Sequence, residues 1–231
     1  MQDYKTEETH TKIQNFFRTH PQTGYTKGDL MLQPDDPVFS VCYVREGYVR
    51  MYLVLEDGKE LTVSIFKPGA YFPAFLAVGN LPNTYYYQAM TAVSVHKAPK
   101  DAVLRFMGSE PDVMAEFTRR LAVGFNGFIV SLQYFLFGTA QSRVAASLVY
   151  LAKRFGVAHL DGTIDIPIPL THQDIASIVG LTRETTSLEL EKLVFGKFIR
   201  LDRKGITIIH MTGLKQVSGG DHRGETRGSD I

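Results

Sequence analysis

The sequence predicts an α+β chain with an N-terminal β-roll, one long helix and a C-terminal winged helix-turn-helix. Three observations carry that expectation. Between about residues 25 and 97, short apolar stretches alternate with Gly, Pro and Asp turn signals. From Pro111 to Phe137, apolar residues recur every three or four positions. From Leu170 to Met211, two helical stretches flank Gly180, and a basic turn then separates two β-prone stretches.

The first residues, MQDYKTEETH, have no basic segment followed by an apolar run. That pattern predicts no signal peptide and a cytoplasmic location. A short helix is expected around Thr9–Phe17. Candidate strands follow at Asp29–Leu32, Ser40–Arg45, Tyr48–Leu55, Glu60–Phe66, Tyr71–Phe72 and Tyr85–His96. Turn signals separate them at Gln33–Asp36, Glu46–Gly47, Glu56–Gly58 and Lys67–Gly69. Evenly spaced short strands suggest a small barrel or roll, wide enough for one small ligand. The single cysteine, Cys42, excludes an intramolecular disulfide and a cysteine-ligated cluster from this chain alone.

Met114, Phe117, Leu121, Phe125, Phe128, Leu132 and Phe135 form one stripe on a helix about 40 Å long. Pro111 suits its first turn and Gly138 its end. Asn126, Ser131 and Gln133 interrupt the apolar run, which favours a dimer interface over a membrane span. In the C-terminal segment, Thr171 can cap a first helix with Asp174 as its capping-box partner, and Thr182 can cap a second. Arg183, Glu184 and Ser187 share the exposed face near that helix's start. Charged and hydrogen-bonding groups placed there suit contact with base edges in a DNA groove. The hairpin from Phe198 to His210 would put Arg203 and Lys204 at its tip, near phosphate. Residues 139–211 hold nine basic against seven acidic groups, a net charge of only +2. Affinity for a polyanion must then come from placement and from pairing of two copies.

The order of these blocks resembles the cyclic-AMP receptor protein/FNR family of bacterial transcription regulators. Gly28-Asp29, Tyr43, Glu46-Gly47, Gly58-Lys59-Glu60 and Pro68-Gly69 fall at the usual turns of that family's roll. Ser142-Arg143-Val144-Ala145 through Leu148 and Leu151 is similar to the helix after its dimer helix. Leu170 to Ala176 and Gly180 to Thr186 are similar to its DNA motif. The resemblance covers about residues 25–211. It implies a cyclic-nucleotide-binding-like sensor roll (a double-stranded β-helix) at 1–109 and a dimerisation helix at 110–138. A disordered tail over 212–231 is predicted by its polar, Gly-rich composition, and the resemblance gives 139–211 to the winged helix-turn-helix. It implies a homodimer on double-stranded DNA, controlled by a small-molecule effector, and it admits RNA polymerase as a partner.

The family's cyclic-AMP cassette pairs a glutamate for ribose with an arginine for the cyclic phosphate. Here the corresponding stretch runs Gly69 to Phe75, with Pro73 and Ala74, followed by Asn83 and Thr84. Proline offers no backbone donor, alanine accepts nothing and asparagine carries no charge. Phe128 and Ile129, at the adenine-facing positions, offer no side-chain hydrogen bond. Cyclic AMP is therefore not the expected effector. An aromatic set replaces the cassette, and Tyr71, Phe72, Phe75, Thr84, Tyr85, Tyr87, Phe125 and Phe128 are the candidate lining of a pocket for an apolar or aromatic ligand. The same rings could equally be core packing in a roll that binds nothing. His96 alone cannot build a metal centre or a catalytic cupin site. No nucleophile–base constellation appears, so no catalytic residue, metal or cofactor is expected and the chain is not read as an enzyme.

By the same resemblance, Arg183 would meet guanine and Glu184 the cytosine amino group. Thr171, His172, Gln173, Thr182 and Thr185 would approach phosphates. A family arginine commonly follows the Ser187 position. Here it is Leu188, which could meet a thymine methyl or simply pack. Glu189 and Glu191 would add negative charge near DNA. A non-DNA-binding sensor or protein-interaction module with the same fold is the alternative.

Overall fold

The computed structural model describes residues 2–202 and 205–219, with the backbone alone for residues 2–6. The chain divides into two compact units, Met1–Leu53 with Thr62–Asn126, and Val54–Leu61 with Gly127–Ile231.

The first unit opens with α1 (Gln2–Arg18), longer than the expected Thr9–Phe17. The roll is two four-stranded antiparallel sheets. One orders β1 (Gln22–Tyr25), β8 (Val93–Pro99), β3 (Ser40–Glu46) and β6 (Tyr71–Phe72). The other orders β2 (Leu30–Leu32), β7 (Tyr86–Ala89), β4 (Val49–Val54) and β5 (Glu60–Phe66). Successive strand side chains point to opposite faces, and β3 shows the consequence. Its Cys42 and Val44 join Val49, Met51, Phe72, Tyr87 and Val95 in one buried cluster. Its Val41 and Tyr43 join Ile13 and Phe17 of α1 in another. Both faces of β3 are covered, which explains its unbroken apolar run. Burial pushes the Cys42 thiol up to about 11.

The expected strand Tyr85–His96 is two strands, β7 and β8, parted by a bend at Met90–Ala92. The bend accommodates Gly47, in the left-handed region at φ 84°, where an added Cβ would lie 2.2 Å from the Ala92 carbonyl oxygen. Tyr48 N–H donates to Thr91 Oγ1 at 3.0 Å and closes the same junction. Two helices that the sequence reading lacked complete the unit. These are α2 (Ala74–Gly79), which buries Ala74, Leu76 and Ala77, and α3 (Lys100–Ser109), which buries Val103 and Met107.

The long helix α4 (Pro111–Phe137) has the expected bounds. Its first turns bury Val113 and Phe117 in the α1 cluster. Glu116, nearly fully buried, accepts hydrogen bonds from Arg119, Arg120 and His10 at 2.7–2.9 Å. Burial alone would raise this carboxyl, but those donors outweigh it and hold it down at about 2. Met114 and Phe117, expected in a dimer seam, thus pack within their own unit, and Phe135 is half-buried; Leu121, Phe125, Phe128 and Leu132 of that stripe are exposed, with Leu136 beside them.

The second unit holds α5 (Ala140–Phe155), α6 (His172–Val179), α7 (Arg183–Phe195) and a four-stranded antiparallel sheet. Its strands run in the order β11 (Ile199–Asp202), β12 (Gly205–Ile208), β10 (Ile164–Ile166) and β9 (Val157–Ala158). The expected two-stranded wing is thus the outer half of a larger sheet. Asp165 of β10 takes part in tying it together, accepting from Thr207 at 2.7 Å and facing His159 at 2.8 Å. The disordered tail expected from residue 212 is helical over its first residues. Met211–Val217 is helix α8, with Leu214 fully buried and the helix packed on α5. Residues 220–231, the rest of that tail, lie outside the described residues.

Candidate nucleic-acid interface

The two helices of the motif begin and end on local chemistry written in the sequence. Thr171 is the N-cap of α6, and its hydroxyl accepts from the Asp174 N–H at 3.1 Å. Asp174 reaches back to accept from the Thr171 backbone N–H at 2.8 Å, which completes the capping box. Ile175, Ala176 and Val179 are the buried face. Gly180 ends the helix at φ 62°, and its N–H bonds the Ala176 carbonyl. Thr182 then caps α7, accepting from the Thr185 N–H at 3.2 Å.

The first turn of α7 is where the expected reading groups gather. Thr182, Arg183 and Glu184 are exposed and Thr185 is half-buried. Ser187 departs from its expected place among the free contact groups. Its hydroxyl donates to the Arg183 carbonyl at 2.9 Å and meets His172 Nδ1 at 2.8 Å. Both side chains thereby lock the start of α6 to the second turn of α7. Thr171 and Gln173 remain exposed at the α6 N-terminus. Glu189 is corrected as well. It is buried on the inner face of α7, accepts from Lys192 at 2.8 Å, and leaves Oε2 without a hydrogen-bond partner among the described residues. Glu191 is exposed as expected. Arg203 and Lys204 lie outside the described residues.

Arg143 holds the motif in a way that no local sequence pattern marks. From the first turn of α5 its guanidinium donates to the carbonyl of Val179 and, at 3.4 Å, to that of Gly180. It also lies 4.7 Å from the Phe135 ring centroid. Desolvation lowers its pKa from the ordinary arginine value. The turn between the two helices is thus capped from outside by a cation that stacks on the last turns of α4.

In the roll, the aromatic candidates do not form one constellation. Phe72 and Tyr87 are fully buried and stack at 5.2 Å, with Phe66 against both at 5.0 and 6.1 Å. Tyr71, the neighbour of Phe72 on β6, faces the other way and packs with Phe17 and Phe117 beneath Arg120. Phe75 meets Tyr85 edge-on at 5.9 Å, while Thr84 is exposed. Phe125 and Phe128 are 64% and 57% exposed on α4. Asn83, at the expected phosphate position, is buried and spent on structure, donating to the Gln33 and Tyr85 carbonyls at 2.6 and 3.0 Å. The hydroxyls of Tyr71 and Tyr87 are buried without a hydrogen-bond partner among the described residues, and burial raises both pKa values.

Comparison with known proteins bears on both units. Residues 22–110 match the cyclic nucleotide-binding domain family, and residues 142–217 match the Crp-like helix-turn-helix domain family. The chain is 30% identical over 186 residues to a global nitrogen regulator of Nostoc sp., covering 80% of this chain and 83% of that protein. It is 26% identical over 184 residues to a CRP-like cAMP-activated global transcriptional regulator of Mycobacterium tuberculosis, covering 80% and 82%. The fold is shared with FixK2 from Bradyrhizobium japonicum at a TM-score of 0.73 and 23% identity, over 86% of this chain and 96% of that one. The expected architecture of roll, long helix and helix-turn-helix therefore stands, and the relatives are regulators, not enzymes.

Proposed function

We propose a homodimeric operator-binding regulator for this chain, which belongs to the cyclic-AMP receptor protein/FNR family of DNA-binding transcription regulators. The observation that carries the reading is the exposed start of α7. Arg183 and Glu184 face solvent there, on a helix fixed by the Gly180 turn, the Arg143 clasp and the His172–Ser187 bond. Arg183 would donate to guanine O6 and N7, and Glu184 would accept from a cytosine amino group. Thr171, His172, Gln173, Thr182 and Thr185 would border the phosphates, with Arg203 and Lys204, which follow β11 in the sequence. Two copies present two such helices to half-sites about one DNA turn apart.

The exposed stripe on α4 supports the dimer. By length and composition α4 also suffices to cross a membrane. Its polar Asn126, Ser131 and Gln133, and its burial of Val113 and Phe117 in a folded unit, favour a second copy over lipid. In the roll, Asn83 is already engaged and Phe72 and Tyr87 fill the space between the sheets. Control is therefore assigned to an effector other than cyclic AMP, or to none. Selection from a random duplex pool tests the DNA reading. A two-fold symmetric site should emerge, and combining Arg183→Ala with Glu184→Ala should weaken it by one to two orders of magnitude at fixed salt. A pool with no selected sequence favours the fold acting as a protein-interaction module.

A further inference from the structure

The recognition helix exposes a leucine. Leu188 is 58% exposed, while the inner side of α7 is already filled by Thr186, Leu190 and Leu193, all fully buried. Leu188 therefore has no place in the buried inner face of α7. Leu188 lies one turn beyond Glu184, about 6 Å along the axis and on nearly the same face. That displacement is roughly two base-pair steps along the groove. Ser187, the polar neighbour that could compete for a base there, is held by His172 and by the Arg183 carbonyl.

An exposed leucine gains nothing beside a phosphate, and it has no group to bond the polar edge of any base. Glu191, exposed three residues further on, makes the adjoining flank unfavourable for the phosphate backbone. In the major groove the apolar feature that ordinary bases offer is the C5 methyl of thymine. We propose that Leu188 is a specificity-determining residue that selects thymine by contact with its methyl group in each half-site. The proposal rests on the DNA-binding reading above and adds a position to the readout of Arg183 and Glu184.

The test removes the methyl and nothing else. In the selected operator, each thymine is replaced in turn by deoxyuridine, which keeps O4 and base pairing. Binding is measured by polarisation for the wild type and for Leu188→Ala. One position per half-site should lose about fourfold in affinity in the wild type, the factor expected for one buried methyl, and about fifteenfold when both half-sites are changed. Leu188→Ala, at a side chain more than half exposed, should melt close to the wild type and bind both operators equally. The loss caused by Arg183→Ala should persist in that background. If every deoxyuridine operator binds wild type as tightly as thymine, or if Leu188→Ala keeps the penalty, the assignment is overturned while DNA binding stands. Failure to select any operator overturns both together.

Discussion

Gly180 is the position at which one methyl group should do the most damage to the motif. Its φ of 62° is left-handed, which costs an L-residue with a Cβ about 1–2 kcal/mol. The space is also taken. A Cβ built there would sit 2.8 Å from Phe135 Cε1 and 3.1 Å from Arg143 Nη2. Relieving contacts of that kind costs about 1–3 kcal/mol. Gly180→Ala should therefore destabilise the second unit by about 2–5 kcal/mol. For a unit of this size the midpoint should fall by about 10–25 °C. Calorimetry or thermal circular dichroism reads the shift, and the double variant Gly180→Ala with Phe135→Ala separates the two causes. If Phe135 is the wall, removing it should restore part of the loss and leave the backbone part. A Gly180→Ala variant within about 0.5 kcal/mol of wild type would refute the reasoning.

Three further outcomes follow from the described contacts. Glu116 carries a folded-state carboxyl pKa of about 2 against an ordinary 4.5, so the unfolded chain binds its proton first as pH falls. Its stabilisation is complete above about pH 4.5 and is lost towards pH 2, so Glu116→Gln should flatten acid unfolding in that window; an unchanged acid limb tells against the network. Thr171→Ala should cost about 1 kcal/mol in urea unfolding and Thr171→Ser should restore it, because only the hydroxyl serves the cap. Phe128→Glu, on the exposed stripe of α4, should give monomers by sedimentation while leaving far-ultraviolet circular dichroism unchanged; a persistent dimer would place the interface elsewhere.

Elements governed by local chemistry were legible in the sequence, and those governed by distant partners were not. The periodicity from Pro111 to Phe137 and the breaker at Gly138 define α4 at both ends. Caps at Thr171 and Thr182 and the Gly180 turn do the same for α6 and α7. By contrast, nothing in Met90–Ala92 signals a break. The bend packs against Gly47, more than forty positions earlier, where a side chain would collide with the Ala92 carbonyl. Helix α2 is six residues of small and apolar side chains, too short to show a period. Helix α8 rests on Leu214 in a short stretch that runs into a polar, Gly-rich sequence, and composition hides such an anchor. In the roll, adjacent Tyr71 and Phe72 looked like one aromatic patch until the strand period sent them to opposite cores.

The residues that place the recognition helix are not those that face away from the protein. Helix α6 ends with carbonyls that no further turn can satisfy, and Arg143 supplies the donors. A lysine could reach one carbonyl as a point charge, but the planar guanidinium bonds two and stacks on Phe135 as well. The Gly180 turn is thereby tied through side chains to the last turns of α4 and the first turn of α5. A displacement at the end of α4 cannot leave that turn unmoved without costing the stacking, the carbonyl bonds or both. The same three residues make the turn intolerant of a methyl and make α7 answer to the position of α4. Stability of the motif and the coupling of α7 to the end of α4 therefore share one physical origin.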